Sequence, residues 1–285
     1  MTILPRQRCD YLERIGRVMA YLHDHLAEEI SLERLAEVAH LSPYHWHRVY
    51  HALQGETIAQ TLRRLRLQRG SAYLANTGLA VAEIARRCGY PNAQSFTRAF
   101  RGAFGCGPSE YRARGSHVAF RSGGSAPLEA GYQVELRRVP ALVLAGLPHR
   151  GSYMGVGKAF ELAYAKLAAV GLARPDSRWL AVYLDDPAAV PEAQLASRAG
   201  LVVPADAEPP PPLQRWELGD CECAVLRHRG PYATMRAAYQ WLYGHWLVQS
   251  GREAADAPVF EEYLNHPRMT APAELLTDIY LPLAP

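Results

Sequence analysis

A chain of 285 residues, 49% of them hydrophobic, has the length of about two domains and can bury ordinary cores. Its longest apolar run is about ten residues, too short for the ~20 of a membrane helix, and the N-terminus lacks the apolar core of a secretion signal. We therefore expect a cytoplasmic protein with no membrane partner. Residues 1–115 hold 16 arginines, no lysine and 10 acidic residues, a net charge of +6, whereas the remainder is at −3. This asymmetry predicts a polyanionic partner for the first part alone.

A helix-turn-helix is predicted in residues 31–55, "SLERLAEVAHLSPYHWHRVYHALQG". The apolar stripe of its first helix consists of Leu32, Leu35, Ala36 and Ala39. Ser42 is a good N-cap and Pro43 a good first residue, so a second helix is predicted to start there. The polar face of that helix carries Tyr44, His47, Arg48 and His51.

The next stretch predicts a long helix over residues 57–75, because no breaker precedes Gly70 and apolar residues recur at helical spacing. Such a helix is roughly 27 Å long at about 1.5 Å per residue. The major groove of duplex DNA repeats about every 34 Å. A helix of this length can therefore hold two DNA-contacting helices, one near each of its ends, in successive major grooves.

The same pattern returns about 50 residues later in "VAEIARRCGYPNAQSFTRAFRGAFG", with Asn92 as the predicted cap of the second helix. At an offset of 50, Tyr44 matches Gln94, His47 matches Thr97 and Arg48 matches Arg98. Two outward faces with hydrogen-bonding residues around an arginine, in a segment of charge +6, predict two DNA-reading helices.

Residues 84–112, "IARRCGYPNAQSFTRAFRGAFGCGPSEYR", together with the first unit resemble the DNA-binding domain of the AraC/XylS family of transcription regulators, over about residues 10–114. The resemblance implies double-stranded promoter DNA as a partner, and RNA polymerase as another. It also implies the base-reading residues, which are Tyr44, His47, Arg48, Ala93, Gln94, Thr97 and Arg98. Ala93 is apolar, so it can at most contact a thymine methyl group.

The remaining chain follows a Gly- and Ser-containing stretch that predicts a flexible linker over 116–130. It repeats itself: "HRGSY" at 149–153 returns as "HRGPY" at 228–232, and "YLDDP" at 183–187 returns as "YLNHP" at 263–267. Each copy reads strand, turn, helix, strand. The predicted fold is therefore multidomain: an all-α domain (1–115) with two helix-turn-helix units joined by a helix, then an α+β domain (131–285) of two pseudo-repeats around a ligand cleft.

The order of elements and the closing "FEEYLNHP…ELLTDIYLPL" resemble the GyrI-like effector domain, over about residues 131–284. This resemblance implies a cleft between the copies that binds small, often aromatic or cationic, molecules. It also implies that Glu261 is the glutamate that faces the ligand.

Comparison of the copies also selects Glu261, because its counterpart is Ala181. Alternate residues of a strand share a face, so Trp179 and Tyr183 are predicted to line the cleft with Glu261 and Tyr263. The opposite face, with Leu180, Val182 and Leu184, is predicted to pack on helices, and Glu262 to reach an exposed edge. His149 and His228, in matching turns, are predicted to shape those turns.

Three functions stay open. The first is a ligand-responsive transcription regulator that is not an enzyme, has no cofactor or metal and binds a small-molecule effector. The second keeps the DNA-binding part but makes the effector domain a hydrolase with a cleft glutamate as general base. The third is a cleft that holds a protein. The sequence does not identify the operator, the effector, the sign of regulation or the oligomeric state, and two reading units per chain permit a monomer.

Overall fold

The computed structural model describes residues 6–41, 50–51, 53–114, 132–187 and 190–285. Its first part is helical. The helices are α1 (Arg6–Asp24), α2 (Leu32–Ala39), α3 (Ile58–Asn76), α4 (Val81–Arg87), α5 (Ala93–Phe104) and α6 (Pro108–Arg114). The predicted linker at 116–130 and most of the helix predicted from Pro43 lie outside the described residues. No helix in the described ranges has the length and apolarity to cross a bilayer.

The first helical core forms where α1 and α2 pack together with Tyr50 and Leu65. Ser31 caps α2, since its hydroxyl accepts a hydrogen bond from the Arg34 amide at 3.1 Å. The predicted stripe of α2 is confirmed at its three later positions, but the prediction for Leu32 was wrong: its side chain is 52% exposed. The first residue of α2 lies beyond the packed core.

Helix α3 lies within one residue of the predicted 57–75 and begins with a capping box. Gln60 N donates to Thr57 Oγ1 at 3.3 Å, and Thr57 N donates to Gln60 Oε1 at 2.7 Å. Farther along, Gly70 lets the second unit approach, since a Cβ there would lie 2.7 Å from the Phe96 ring. Helix α3 is therefore packed into both helical cores.

Helices α4 and α5 form the second helix-turn-helix. Gly89 turns the chain with a φ of +71°, in the region that favours glycine. Asn92 caps α5 as predicted, because its Oδ1 accepts from the Ser95 amide at 2.8 Å. Phe96 and Phe100 are fully buried on the inner face.

The second part is built on one antiparallel sheet of eight strands in the order β1-β6-β8-β7-β3-β4-β2-β5. The strands are β1 (Val134–Val139), β2 (Leu142–Arg150), β3 (Trp179–Tyr183), β4 (Ala196–Val203), β5 (Gln214–Leu218), β6 (Cys221–Arg229), β7 (Val259–Tyr263) and β8 (Leu276–Pro282). Strands β3 and β7 pair at the centre, with Ala181 opposite Glu261.

Helices cover one face of this sheet. They are α7 (Gly157–Ala169), α8 (Met235–Trp241), a π-helical segment (Leu242–Leu247) and α9 (Val248–Ser250). Short 3₁₀ turns, Tyr153–Gly155 and Tyr232–Thr234, lead into α7 and α8. Helix α7 packs on β2 and β4, and α8 packs on β6.

On the other face of the sheet, two predictions were wrong. Leu180 and Val182 were predicted to pack on helices, but they belong to a core cluster in which strand residues such as Phe260 and Tyr280 surround them. Glu262 does not reach an exposed edge, because β7 is paired on both sides. It is buried, and Arg178 donates to both of its carboxylate oxygens at 2.6 and 2.8 Å.

The two parts contact each other through α1 and α7. A Cβ on Gly16 of α1 would lie 3.1 Å from the Ala165 side chain of α7, so glycine permits this close approach. At the end of the same interface, Lys158 donates to Asp24 at 2.6 Å. The helical part thus packs directly against the helix layer of the sheet domain.

Candidate functional site

A large cavity lies where β3 and β7 meet the helix layer. Its volume is about 2120 Å³, and the four residues predicted to line the cleft all border it. They are Trp179, Tyr183, Glu261 and Tyr263. Pairing of β3 with β7 brings them together, because it places the cavity-facing residues of the two strands side by side.

The carboxylate of Glu261 is held by tyrosine hydroxyls. Tyr239 donates to Oε1 and Tyr263 donates to Oε2, each at 2.7 Å. The hydroxyls of Tyr183 and Tyr263 are hydrogen-bonded to each other at 2.6 Å. Only 3% of Glu261 is exposed. Burial raises its pKa, while the hydrogen bonds from Tyr263, Tyr239 and Tyr183 oppose the rise.

No lysine or arginine of the described ranges lies within ion-pair distance of Glu261. Its neighbour Glu262, in contrast, is paired with Arg178 on the other side of the sheet. A buried carboxylate with neutral donors alone is costly to ionise. It is therefore a group that a cation in the cavity would stabilise.

Aromatic rings surround this carboxylate. Tyr232 meets the Tyr263 ring edge-on at 5.4 Å, and Phe160 meets the same ring edge-on at 5.2 Å. Tyr164 is stacked on Trp179 at a centroid distance of 5.2 Å. Rings of this kind attract cations through their faces, by about 0.5–2 kcal/mol each.

Sequence reasoning did not find Tyr239, Tyr232 or Phe160. Tyr232 ends the echoed "HRGPY" motif, and its counterpart Tyr153 also contacts a cavity tyrosine, at 4.6 Å from Tyr183. The shared position of these two tyrosines in the repeated motif is a signal from which Tyr232 could have been predicted. Tyr239 has no such signal, since a tyrosine on an amphipathic helix is most often part of the core.

The paired histidines act within their turns. Nε2 of His149 lies 2.9 Å from the Ser152 carbonyl, and Nε2 of His228 lies 3.4 Å from the Pro231 carbonyl. Cys221 and Cys223 bring their sulfurs to 3.4 Å. Among the described residues, no group of three or more His, Cys, Asp or Glu side chains could hold a metal ion.

The candidate DNA-reading surface includes the outer face of α5. Gln94 and Arg98 are exposed there, and Ala93 and Thr97 are half-buried. The inner face of this helix is anchored by Phe96 and Phe100, which keeps the opposite face of the helix outward. The predicted reading residues of the first unit, Tyr44, His47 and Arg48, lie outside the described residues.

Comparison with known families accounts for both parts. Residues 132–284 match the GyrI-like small molecule binding domain, and residues 35–114 match a helix-turn-helix domain. The two matches thus describe a helix-turn-helix domain followed by a small-molecule binding domain. The chain belongs to the family of GyrI-like domain proteins, with its DNA-binding domain of the AraC type.

Its relatives match over about a third of this chain. The HTH-type transcriptional activator RhaS of Enterobacter sp. (strain 638) is 39% identical over 99 residues, which cover 35% of this chain and 36% of RhaS. The bifunctional transcriptional activator/DNA repair enzyme AdaA of Bacillus subtilis (strain 168) is 31% identical over 100 residues, 35% of this chain and 47% of AdaA. This chain therefore spans about a third to a half of these relatives' length.

Among solved structures, the DNA-binding domain of AdpA in complex with a target DNA is similar, with a TM-score of 0.36 and 29% identity. The match covers 39% of this chain and 99% of the AdpA domain. The structure of an EcmrR–DNA complex matches 88% of this chain and 98% of EcmrR, with a TM-score of 0.48 and 14% identity.

The raised pKa of Glu261 predicts a pH-dependent stability. The folded state holds the Glu261 proton more tightly than the unfolded chain, whose glutamates titrate near pH 4.3. Stability from this group is thus present at low pH and is lost as pH rises through the folded pKa. Glu261→Gln cannot ionise, so without ligand it should melt several degrees above the parent at pH 8, and this advantage should shrink toward pH 4.5.

Thermal denaturation at several pH values checks this. Glu192→Gln is the matched control, because Glu192 also borders the cavity but is exposed. A melting difference between the parent and Glu261→Gln that stays constant from pH 4.5 to 8 would mean that Glu261 is not a buried acid of raised pKa.

Proposed function

We propose that this protein is a transcription regulator, which binds a small aromatic or lipophilic cation as its effector in the cavity around Glu261 and reads operator DNA with two helices. One observation carries the effector proposal: a carboxylate that is 3% exposed has, among the described residues, only tyrosine hydroxyls as partners. Among aromatic rings, such a group selects for a flat or lipophilic cation over a neutral or anionic compound.

The length and packing of α3 support the proposal that two helices read DNA. Helix α3 has 19 residues, so it is about 28 Å long. It packs into the cores of both helical units and fixes their spacing, which suits successive major grooves about 34 Å apart. We assign base contacts to Gln94, Thr97, Arg98 and the methyl group of Ala93. By resemblance, Tyr44, His47 and Arg48 have this role in the first unit.

The organisation of the chain follows from these roles. The DNA-binding domain occupies residues 1–115, a linker 116–130 and the effector domain 131–285. Within the effector domain, the symmetric strand order and the central β3–β7 pair support a duplicated unit, with the effector bound between its two copies.

The relatives also bear on the remaining partners. RhaS is named a transcriptional activator, which supports RNA polymerase as the protein partner that we propose. A DNA-binding role supports the cytoplasm as the proposed location. A regulator needs no turnover of its effector. Mass spectrometry of a bound ligand after prolonged incubation distinguishes a regulator from a hydrolase. The mass of the ligand stays unchanged for a regulator, and a cleaved product is found for an enzyme.

Arg98→Ala should weaken binding to an operator selected in vitro by about 1–3 kcal/mol and relax base preference, because a bidentate arginine reads guanine in the major groove. Fluorescence anisotropy on the selected operator and on a scrambled duplex measures both effects. Arg86→Ala is the control, since Arg86 is exposed on α4 and paired with Glu83. Equal losses on both duplexes would make Arg98 a phosphate contact.

Glu261→Gln should weaken binding of lipophilic aromatic cations tenfold or more, because it keeps the size of the side chain and removes its charge. A tenfold loss corresponds to about 1.4 kcal/mol. Calorimetry with tetraphenylphosphonium, rhodamine 6G and ethidium measures this, with Glu253→Gln as the control variant, because Glu253 is exposed and does not border the cavity. Neutral aromatic compounds should bind both proteins alike. Unchanged cation affinity in Glu261→Gln would show that Glu261 is not the anchor.

A further inference from the structure

The cavity around Glu261 is not closed by the effector domain alone. Helix α3 of the DNA-binding domain contributes seven residues to its lining: Arg64, Leu65, Gln68, Arg69, Ala72, Tyr73 and Asn76. Residues three and four positions apart lie on the same face of a helix, so these seven form one continuous face over about three turns. A volume of about 2120 Å³ exceeds the 300–1,000 Å³ of ordinary ligand pockets. The cavity comprises both the cleft around Glu261 and the space beside α3.

A short contact path joins α3 to the carboxylate. Helix α3 packs against the 3₁₀ turn Tyr232–Thr234 of the effector domain. The ring of Tyr232 meets the ring of Tyr263 edge-on at 5.4 Å, and Tyr263 donates to Glu261 at 2.7 Å. One layer of aromatic rings therefore lies between this part of α3 and the Glu261 carboxylate.

The two arginines on this face of α3 have partners of different charge. Arg64 donates to Glu56 at 2.6 Å, and Arg69 donates to the His23 carbonyl at 3.0 Å. Burial lowers the pKa of His23 to about 4, so that ring is neutral at pH 7. Gln68, one helical turn from Arg64 and half-buried, presents a neutral amide. Among the described residues Arg64 is thus neutralised by an acid, whereas Arg69 keeps its positive charge, and Gln68 is the neutral position between them at which a charge can be introduced.

An ion cluster holds α3 against the effector domain at this point. Arg268, which follows the end of β7, forms an ion pair with Glu161 of α7. Its Nε also lies 3.8 Å from the Glu56 carboxylate. Glu56 in turn pairs with Arg64 of α3. The position of the helix is therefore fixed by residues of both domains.

We propose that the α3 face is a wall of the effector site, with Gln68 as a specificity-determining residue in contact range of the bound effector. This rests on the proposed function. Effector and DNA then share one helix: the ligand contacts the same rigid element that sets the spacing of the two reading units. The effector does not have to act through the sheet to reach the DNA-binding domain.

The test introduces charge at Gln68 in the full chain. Gln68→Glu should tighten binding of the aromatic cations named above by about three- to tenfold, and Gln68→Arg should weaken it by a similar factor. This is the size expected for one unit charge on the wall of a partly screened cavity. Calorimetry gives the affinities, and circular dichroism checks that each variant is folded.

Ala59→Glu and Ala59→Arg are the matched controls. Ala59 is exposed on the same helix, and nine residues at about 100° each place it on the side opposite Gln68. These variants should bind cations as the parent does.

The outcomes separate the two proposals. If Glu261→Gln loses cation binding while both Gln68 variants bind like the parent, the wall is refuted and the proposed function stands. Equal shifts in the Gln68 and Ala59 variants would show a general charge effect and also refute the wall. If the parent binds none of the three cations, the proposed function fails and the wall fails with it.

Discussion

The structure depends on one buried charge, the carboxylate of Glu261 at the centre of an eight-stranded sheet. Its hydrogen-bond partners are tyrosine hydroxyls, which satisfy its oxygens without neutralising it. Burial makes the ionised form costly, and a cation in the cavity removes that cost. Glu262, next in the chain, shows the contrast, because Arg178 forms an ion pair with it. One acid has an arginine partner, and the other has only neutral hydrogen-bond donors among the described residues.

The domain interface connects that site to the DNA-binding domain. From Arg268 beside the cavity, polar contacts continue through Glu56 into the DNA-binding domain. The hydroxyl of Thr61 donates to Glu56 at 2.9 Å, and Tyr50 and Thr61 are hydrogen-bonded at 2.7 Å. Tyr50 is fully buried in the first helical core. Buried networks of this kind couple the positions of their members, because breaking one link leaves a polar group unsatisfied.

The sequence predicted what depends on local chemistry and on the repeat. Capping and periodicity located α3 and the Asn92 cap, and subtraction of one copy from the other selected Glu261. It did not predict what depends on long-range packing. Glu262 is buried because β7 is an interior strand, which no local pattern indicates. Tyr239 reaches Glu261 across 22 residues, and the α3 wall requires two domains to meet, so neither is visible in a single segment of sequence.

The most direct measurement is the thermodynamic linkage between the two ligands in the full chain. The affinity for a selected operator is measured with and without saturating tetraphenylphosphonium, and the affinity for the cation with and without saturating operator. A shared α3 requires that each ligand change the affinity of the other, and that both changes be the same factor, typically between 5- and 150-fold. If both ligands bind and neither changes the affinity for the other, the coupling through α3 is contradicted.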